Sequence, residues 1–343
     1  MQKSILVTGG AGFIGSCFTR LAVENGYKVY VLDKLTYAGY LGNINDLIEK
    51  SQVQFIKGDI GDQALVCQTL QDNKITAVLN FAAESHVDNS ISGPEAFVRT
   101  NVLGTFGLLE AFRSHYGTLN ADIQKNARFV HVSTDEVFGQ LGKEGYFTED
   151  SNYQPNSPYS ASKAASDHLA RAWHHTYQLP IIVTNCSNNY GPRQFPEKLI
   201  PRMITCALNG EKLPVYGKGE NIRDWIHVED HSRGVMLALE QGTVGDSYCF
   251  GGRSERTNLA VVKTVCSILD ELKPRTNGTS YSQLISFVED RKGHDFRYAI
   301  DDSKSRQVLG FKSRYENFEI GLKETIRWYL DNQKWMEGVQ AKK

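Results

Sequence analysis

The chain of 343 residues is 41% apolar and 22% charged, an ordinary globular composition with enough length for two domains sharing a cleft. A net charge of −1 without a long basic block excludes nucleic acid and anionic membrane as natural partners, so an anionic ligand must be held by a few local cations and backbone N–H groups. Six scattered cysteines with no C-x-x-C or Cys/His cluster argue against a metal site and point to the cytoplasm; no apolar run reaches the ~18 residues of a membrane helix, and Met1 leads into a strand too soon for a signal peptide.

Residues 4–8 read as a short apolar strand running into Gly9-Gly10-Ala11-Gly12-Phe13-Ile14-Gly15, then a helix to about Asn25 and a second strand over 27–32. A lone G-x-G-x-x-G is weak, but within a complete βαβ unit it marks a dinucleotide site. Small residues admit the pyrophosphate, which rests on unpaired N–H groups at the helix start. Asp33 follows the second strand, 18 residues beyond Gly15. Its carboxylate suits a ribose 2′-OH and repels a 2′-phosphate, so the cofactor should be NAD rather than NADP.

Val53 to Ile56 reads as a third strand, with Asp59 in its exit turn placed to touch the adenine. Residues 75–83 read as a fourth strand ending in Ala82-Ala83-Glu84-Ser85-His86, whose small residues let the cofactor pass close. Pro94 to Tyr116 reads as one long helix, apolar on more than one side, and Tyr159 to Tyr177 has the same character. One side of each faces the sheet and the other is free for a second subunit. Residues 128–132 and 179–184 give strands five and six. The alternation predicts an α/β fold, a doubly wound parallel (Rossmann) sheet with a smaller, mixed α/β substrate-binding domain.

Strand five ends in Ser133-Thr134-Asp135-Glu136, where open α/β sheets bind ligands. Tyr159 and Lys163 lie four apart on one helix face, so a phenol, an ammonium, a hydroxyl and two carboxylates can converge on one small molecule. On a regular strand Asp135 and Glu136 point to opposite faces, so the backbone must leave strand geometry after Thr134 if both are to reach it. Beyond Asn185 the chain turns rich in Asn, Pro, Gly and Arg, the entry to the smaller domain. Asn188, Lys198, Arg223, Arg291, His294 and Arg297 there suit a sugar diphosphate. Residues 224–241 read as a helix and 247–251 as a strand returning to the first domain. An amphipathic helix from about Asn317 to Gln333 closes the chain. The expected division is 1–188 with 226–252 and 298–325 for the NAD-binding domain, and 189–225 with 253–297 and 326–343 for the nucleotide-sugar domain.

Thr8-Gly9-x-x-Gly12-x-x-Gly15, Tyr159-x-x-x-Lys163 and Asn189-Tyr190-Gly191-Pro192 resemble the extended short-chain dehydrogenase/reductase family. Ser133-Thr-Asp-Glu-Val, Tyr159-Ser-Ala-Ser-Lys, Phe195-Pro-Glu-Lys-Leu-Ile-Pro and Arg223-Asp-Trp-Ile-His resemble its nucleotide-sugar 4,6-dehydratase branch, over essentially the whole chain. The resemblance implies NAD as cofactor, dTDP-glucose as substrate and a homodimer. It implies cofactor contacts from Gly9, Gly12, Phe13, Ile14, Gly15, Asp33, Lys34, Thr36, Asp59, Ile60, Ala82, Ala83, Ser85, Thr100, Tyr159, Lys163 and Asn189. For the substrate it implies Ser85, Thr134, Asn188, Lys198, Leu199, Pro214, Tyr216, Arg223 and Asn258, with the loop from Asp290 to His294 near the phosphates. It makes Tyr159 the base for the sugar hydroxyl, Lys163 its electrostatic partner, Thr134 the orienting hydroxyl, Asp135 the acid and Glu136 the base of an elimination. The chain departs from the family pattern at Asn89 and at Arg193-Gln194.

The chemistry asks for these groups. Oxidising C4 to a ketone makes the C5 proton acidic, and that oxidation needs a phenolate, favoured by Lys163 and by a positive nicotinamide. Two close carboxyls resist sharing two negative charges, so one stays protonated and the pair supplies acid and base together. A 4-epimerase of the same fold would need only Thr134, Tyr159, Lys163 and NAD, leaving Asp135 and Glu136 without a task.

Overall fold

Seven strands form one fully parallel sheet in the computed structural model, which describes residues 3–291 and 293–342. From edge to edge they are Ser247–Phe250, Ile181–Cys186, Arg128–Val132, Ala77–Asn80, Ser4–Thr8, Lys28–Asp33 and Val53–Lys57. Alternate side chains supply two layers. Ile5, Val7, Val29 and Val31 pack with Phe18 and Val235 on one face, while Leu6, Tyr30 and Leu32 pack with Leu108 and Phe112 on the other. A parallel sheet so covered needs near-continuous apolar strands, and these are. Burying each such side chain is worth about 1.5–3 kcal/mol. Strand order reverses between Ser4–Thr8 and Ala77–Asn80, which opens the crevice where such sheets bind ligands.

A second core gathers Tyr190, Ile200, Met203, Trp225, Val262, Leu269, Tyr329 and Met336. Its helices are Leu199–Leu208, Asn258–Leu272, Phe318–Asp331 and Gln333–Gln340. Its strands form a three-stranded sheet (Glu255–Thr257, Ile222–His227, Asn188–Tyr190) and a pair (Ile285–Val288 with Leu213–Tyr216). Phe318 and Leu322 pack in this core, although the expected boundary put residues 298–325 with the first domain. Met1, Gln2, Lys292 and Lys343, which fall in the expected domain ranges, lie outside the described residues.

Three elements differ from expectation. The stretch 94–116 is an α-turn (Glu95–Phe97), a π-helical segment (Val98–Gly104) and an α-helix (Thr105–Tyr116). The wider π turn lets the Asn101 side chain bind the Glu84 backbone at 2.9 and 3.0 Å and the Ser162 hydroxyl at 2.8 Å, so tertiary bonds override helix periodicity. Residues 222–227, partly assigned to a helix, are a strand paired on both sides, and the helix Val228–Gln241 begins only after His227 caps the Glu229 N–H. The helix read over 317–333 is Phe318–Asp331, capped by Asn317, and a further helix, Gln333–Gln340, follows it.

Candidate active site

Strand Arg128–Val132 delivers Ser133 and Thr134 in extended conformation, and a 3₁₀ turn over Asp135–Phe138 begins at once. The Thr134 hydroxyl starts that turn by accepting from the Glu136 N–H at 3.3 Å, and Asn185 holds the Thr134 carbonyl at 3.0 Å. The turn puts both carboxylates on the cavity side, which a strand could not do. Gly139 closes it at φ +88°, where a Cβ would lie 2.5 Å from the Gln154 carbonyl. Opposite, helix Pro158–Tyr177 starts with a reciprocal Ser157–Ser160 cap and Pro158 in its first turn. This presents Tyr159 and, one turn on, Lys163, whose amine donates to the Val132 carbonyl at 2.9 Å.

These groups line one end of a cavity of about 290 Å³ that runs back over the glycine-rich loop. All seventeen expected cofactor residues line it: Gly9, Gly12, Phe13, Ile14, Gly15, Asp33, Lys34, Thr36, Asp59, Ile60, Ala82, Ala83, Ser85, Thr100, Tyr159, Lys163 and Asn189. The loop fits a dinucleotide by what it lacks. A Cβ on Gly9, at φ +67°, would lie 2.7 Å from the Ala82 nitrogen, and one on Gly15 would lie 2.2 Å from the Gly9 carbonyl oxygen. Asp33 accepts from the Ala11 N–H at 3.0 Å and the Leu35 N–H at 2.7 Å, which ties the ribose-side carboxylate to the loop. Burial raises its carboxyl, and those two N–H groups oppose the shift. Lys34 is turned onto Asp59 at 2.7 Å.

A second cavity of about 190 Å³ shares Ser85, Glu136, Asn188, Glu197 and Lys198 with the first. Leu199, Pro214, Tyr216, Arg223, Asn258 and His294 line it as expected, and Thr134 faces the first. Lys198 donates to the Ser85 carbonyl at 2.8 Å, and Arg223 braces Asp295 at 2.9 Å with Tyr298 4.1 Å beneath its guanidinium. Two expectations are corrected. Asp290 lines neither cavity but stands behind His294, bonded to its Nδ1 at 2.7 Å. Arg297 is taken up by Glu255 at 2.6 and 2.9 Å and is held out of both cavities. Lys292, within the Asp290–His294 loop, lies outside the described residues. Of the departures, Gln194 lines the first cavity, whereas Arg193 lies over Trp328 at 5.3 Å and Asn89 sits in the first turn of a short helix, where its backbone N–H donates to the capping His86 ring at 3.3 Å.

Sequence reasoning missed Glu84, Cys186 and Glu197 in the first cavity and Asp88 and Tyr298 in the second. Among the described residues, one oxygen each of Asp135, Asn188 and Glu197 and the Arg291 Nε are buried without a hydrogen-bond partner. Groups so stranded at a cavity wall fit a polyhydroxylated, anionic ligand that would satisfy them. A buried network also escaped notice. Asp167 accepts from Ser133 at 2.7 Å and Tyr153 at 3.0 Å and lies 3.2 Å from His131, beneath the Lys163 turn.

The carboxylates are not equivalent. Burial, and then Glu136 beside it, pushes Asp135 well above its ordinary value, which favours its protonated form. Burial also raises Glu136, but Arg223, Arg291 and Lys198 pull it back toward the anion. Tyr159 meets an opposing influence. Burial, reinforced by Glu136, pushes the phenol well above its ordinary value, and the Thr134 hydroxyl offsets little of this. Burial likewise lowers Lys163, with Asp167 opposing. A positive charge bound beside Tyr159 would oppose that rise and favour the phenolate.

Residues 6–325 match the family described as GDP-mannose 4,6 dehydratase. A dTDP-glucose 4,6-dehydratase of Xanthomonas campestris pv. campestris (strain B100) is 56% identical over 335 residues, 97% of this chain and 95% of that one. The crystal structure of dTDP-glucose 4,6-dehydratase from Streptomyces venezuelae with NAD bound matches with a TM-score of 0.88 at 44% identity, over 98% of this chain and 99% of that one. The Bacillus anthracis str. Ames enzyme in complex with NAD gives 0.86 at 43% identity, with the same coverage. With a paired acid and base, a Tyr–Lys couple and a dinucleotide loop in one cleft, and with relatives this near over almost their full length, the chain belongs to the dTDP-glucose 4,6-dehydratase family.

Proposed function

We propose that the protein catalyses NAD-dependent 4,6-dehydration of dTDP-glucose to dTDP-4-keto-6-deoxy-glucose. The observation that carries this reading is the 3₁₀ turn that sets Asp135 and Glu136 side by side in the cleft of Tyr159 and Lys163, with burial favouring the acid form of Asp135 and three cations drawing Glu136 toward the anion. A 4-epimerase has no use for that pair. Bound NAD supplies a hydride acceptor at C4, a hydride donor to C6, and the positive charge that favours Tyr159 as phenolate. Tyr159 takes the C4 hydroxyl proton while Thr134 orients that hydroxyl. With C4 a ketone, Glu136 removes the C5 proton, and Asp135 gives its proton to the departing C6 hydroxyl, which leaves as water. Hydride delivered to C6 is matched by a proton returned to C5 from the Glu136 side, so the 4-keto-6-deoxy product forms with no net redox. Arg223, Lys198 and His294 suit the diphosphate, and Asn188 and Ser85 the sugar.

The active unit is a homodimer in this reading, because Val98, Leu103 and Phe106 on the segment 98–116 and Tyr177 on the helix Pro158–Tyr177 leave exposed apolar sides; light scattering should give twice 38.5 kDa. A cytoplasmic location suits six free cysteines. No helix among the described residues is long and apolar enough to cross a membrane. Incubation with a panel of glucose nucleotides tests the activity. The dTDP sugar should give a 4-keto-6-deoxy product that absorbs in alkali, and a product that is only a stereoisomer of the substrate would overturn it.

A further inference from the structure

Helices Phe318–Asp331 and Gln333–Gln340 are rooted in the second core through Phe318, Leu322, Ile326, Tyr329 and Met336. Yet polar atoms from this end of the chain finish on walls of the cofactor cavity. The Tyr329 hydroxyl donates to the Gln194 carbonyl at 2.7 Å. The Trp335 indole N–H donates to Asn43 Oδ1 at 2.8 Å, and the Asn43 amide passes the link on to the Ala11 carbonyl at 2.8 Å. Ala11 sits inside the glycine-rich loop, and its own N–H is the one that Asp33 accepts. The Lys342 amine donates to the carbonyls of Thr36 at 2.5 Å and Leu35 at 3.3 Å, and also contacts that of Gly39. Thr36, Gly39 and Gln194 all line the cavity. Packing reinforces the link. Tyr40 meets Trp335 edge to face at 6.2 Å, and its hydroxyl lies so close over Gly338 that a Cβ there would have to push it aside.

We propose that Trp335, Asn43 and Lys342 are positioning residues for the dinucleotide. Through them the second core holds the 34–43 loop and the glycine-rich loop in the shape that grips the adenosine half of NAD, and so slows its release. The inference rests on the NAD-dependent reading above. It also suits that chemistry, since a cofactor restored at every turnover has no reason to leave. None of the three touches the reacting atoms; each acts through backbone that does the binding.

The test is calorimetric titration of NAD into cofactor-stripped protein, with the NAD release rate measured by dilution. Trp335→Phe keeps the ring against Tyr40 and deletes only the N–H. Its NAD dissociation constant should rise about fivefold, the worth of one hydrogen bond, with a matching rise in release rate. The loss should appear in NAD affinity and not in kcat at saturating NAD. Asn43→Ala should lose at least as much, and the double variant no more than Asn43→Ala alone, because the two act in one chain. If Trp335→Phe lowers the unfolding temperature of the stripped protein, the exposed Lys342→Gln decides instead, with an expected loss of twofold or more. Wild-type affinity in the variants, or a fall in kcat at saturating NAD with affinity unchanged, would overturn the proposal alone. A wild-type protein that binds no NAD would overturn the cofactor assignment and this proposal with it.

Discussion

Replacing Gly15 by alanine isolates the cofactor loop from everything else in the site. The new Cβ would fall 2.2 Å from the Gly9 carbonyl oxygen, 2.9 Å from its carbon and 3.0 Å from the Gly10 Cα, all backbone atoms that cannot swing aside. Real Cβ contacts stay beyond 3.0 Å, so the Gly9–Gly10 segment must retreat by at least 3.0 − 2.2 = 0.8 Å. A shift of that size takes backbone N–H groups out of hydrogen-bond range of a pyrophosphate. A bond to a charged group is worth roughly 1.5–3 kcal/mol. Losing one therefore weakens NAD binding about 10- to 150-fold. Calorimetric titration of NAD into the stripped variant measures this directly, with unfolding temperature as the control for the fold. A Gly15→Ala protein that binds NAD as tightly as wild type would refute the assignment of this loop to the cofactor.

Other outcomes follow from the same geometry. Glu136→Gln should leave the first oxidation intact and lower product formation by a general-base factor of roughly 10²–10⁴, with reduced-nicotinamide absorbance rising and persisting; product at the wild-type rate would sink the assigned base. Arg223→Gln removes the largest positive charge acting on Glu136, so the carboxyl rises further. Glu136 must be ionised to act, so kcat at saturating substrate should fall away at a higher pH than in wild type and recover in alkali, an acid limb displaced upward. An unmoved limb would disconnect Arg223 from the base. Asp33→Ala should weaken NAD and relax the bias against NADP in a paired titration, and unchanged discrimination would move that role to Thr36 or Asp59.

Much of this was legible because it is local. A βαβ unit around a glycine fingerprint fixes a cofactor loop by chain geometry alone, and every residue expected there does line the cavity. The Tyr159–Lys163 pair follows from helix spacing in the same way. What could not be read depends on partners far along the chain. The π segment at 98–104 exists because Asn101 bonds Glu84 and Ser162, and no periodicity announces that. Arg297 looked like a phosphate ligand until Glu255, 42 residues away, claimed its guanidinium. Lys163 and a bound nicotinamide together are expected to favour the Tyr159 phenolate, but the desolvation that opposes them belongs to the folded cleft and is not written in the helix spacing. The Asp167–His131–Ser133 network joins the end of one strand to a helix, so Asp167 lies 34 residues beyond Ser133 in sequence.

The central claim is that hydride leaves C4 and returns to C6 while Asp135 and Glu136 eliminate water between those steps. Turnover of dTDP-glucose carrying deuterium at C4, in ordinary water, tests it most directly. Nuclear magnetic resonance of the product should show a 4-keto-6-deoxy sugar with the label at C6 and none at C4 or C5. A hexose that keeps its C6 hydroxyl and carries the label at C4 would contradict the account and make the cleft that of an epimerase.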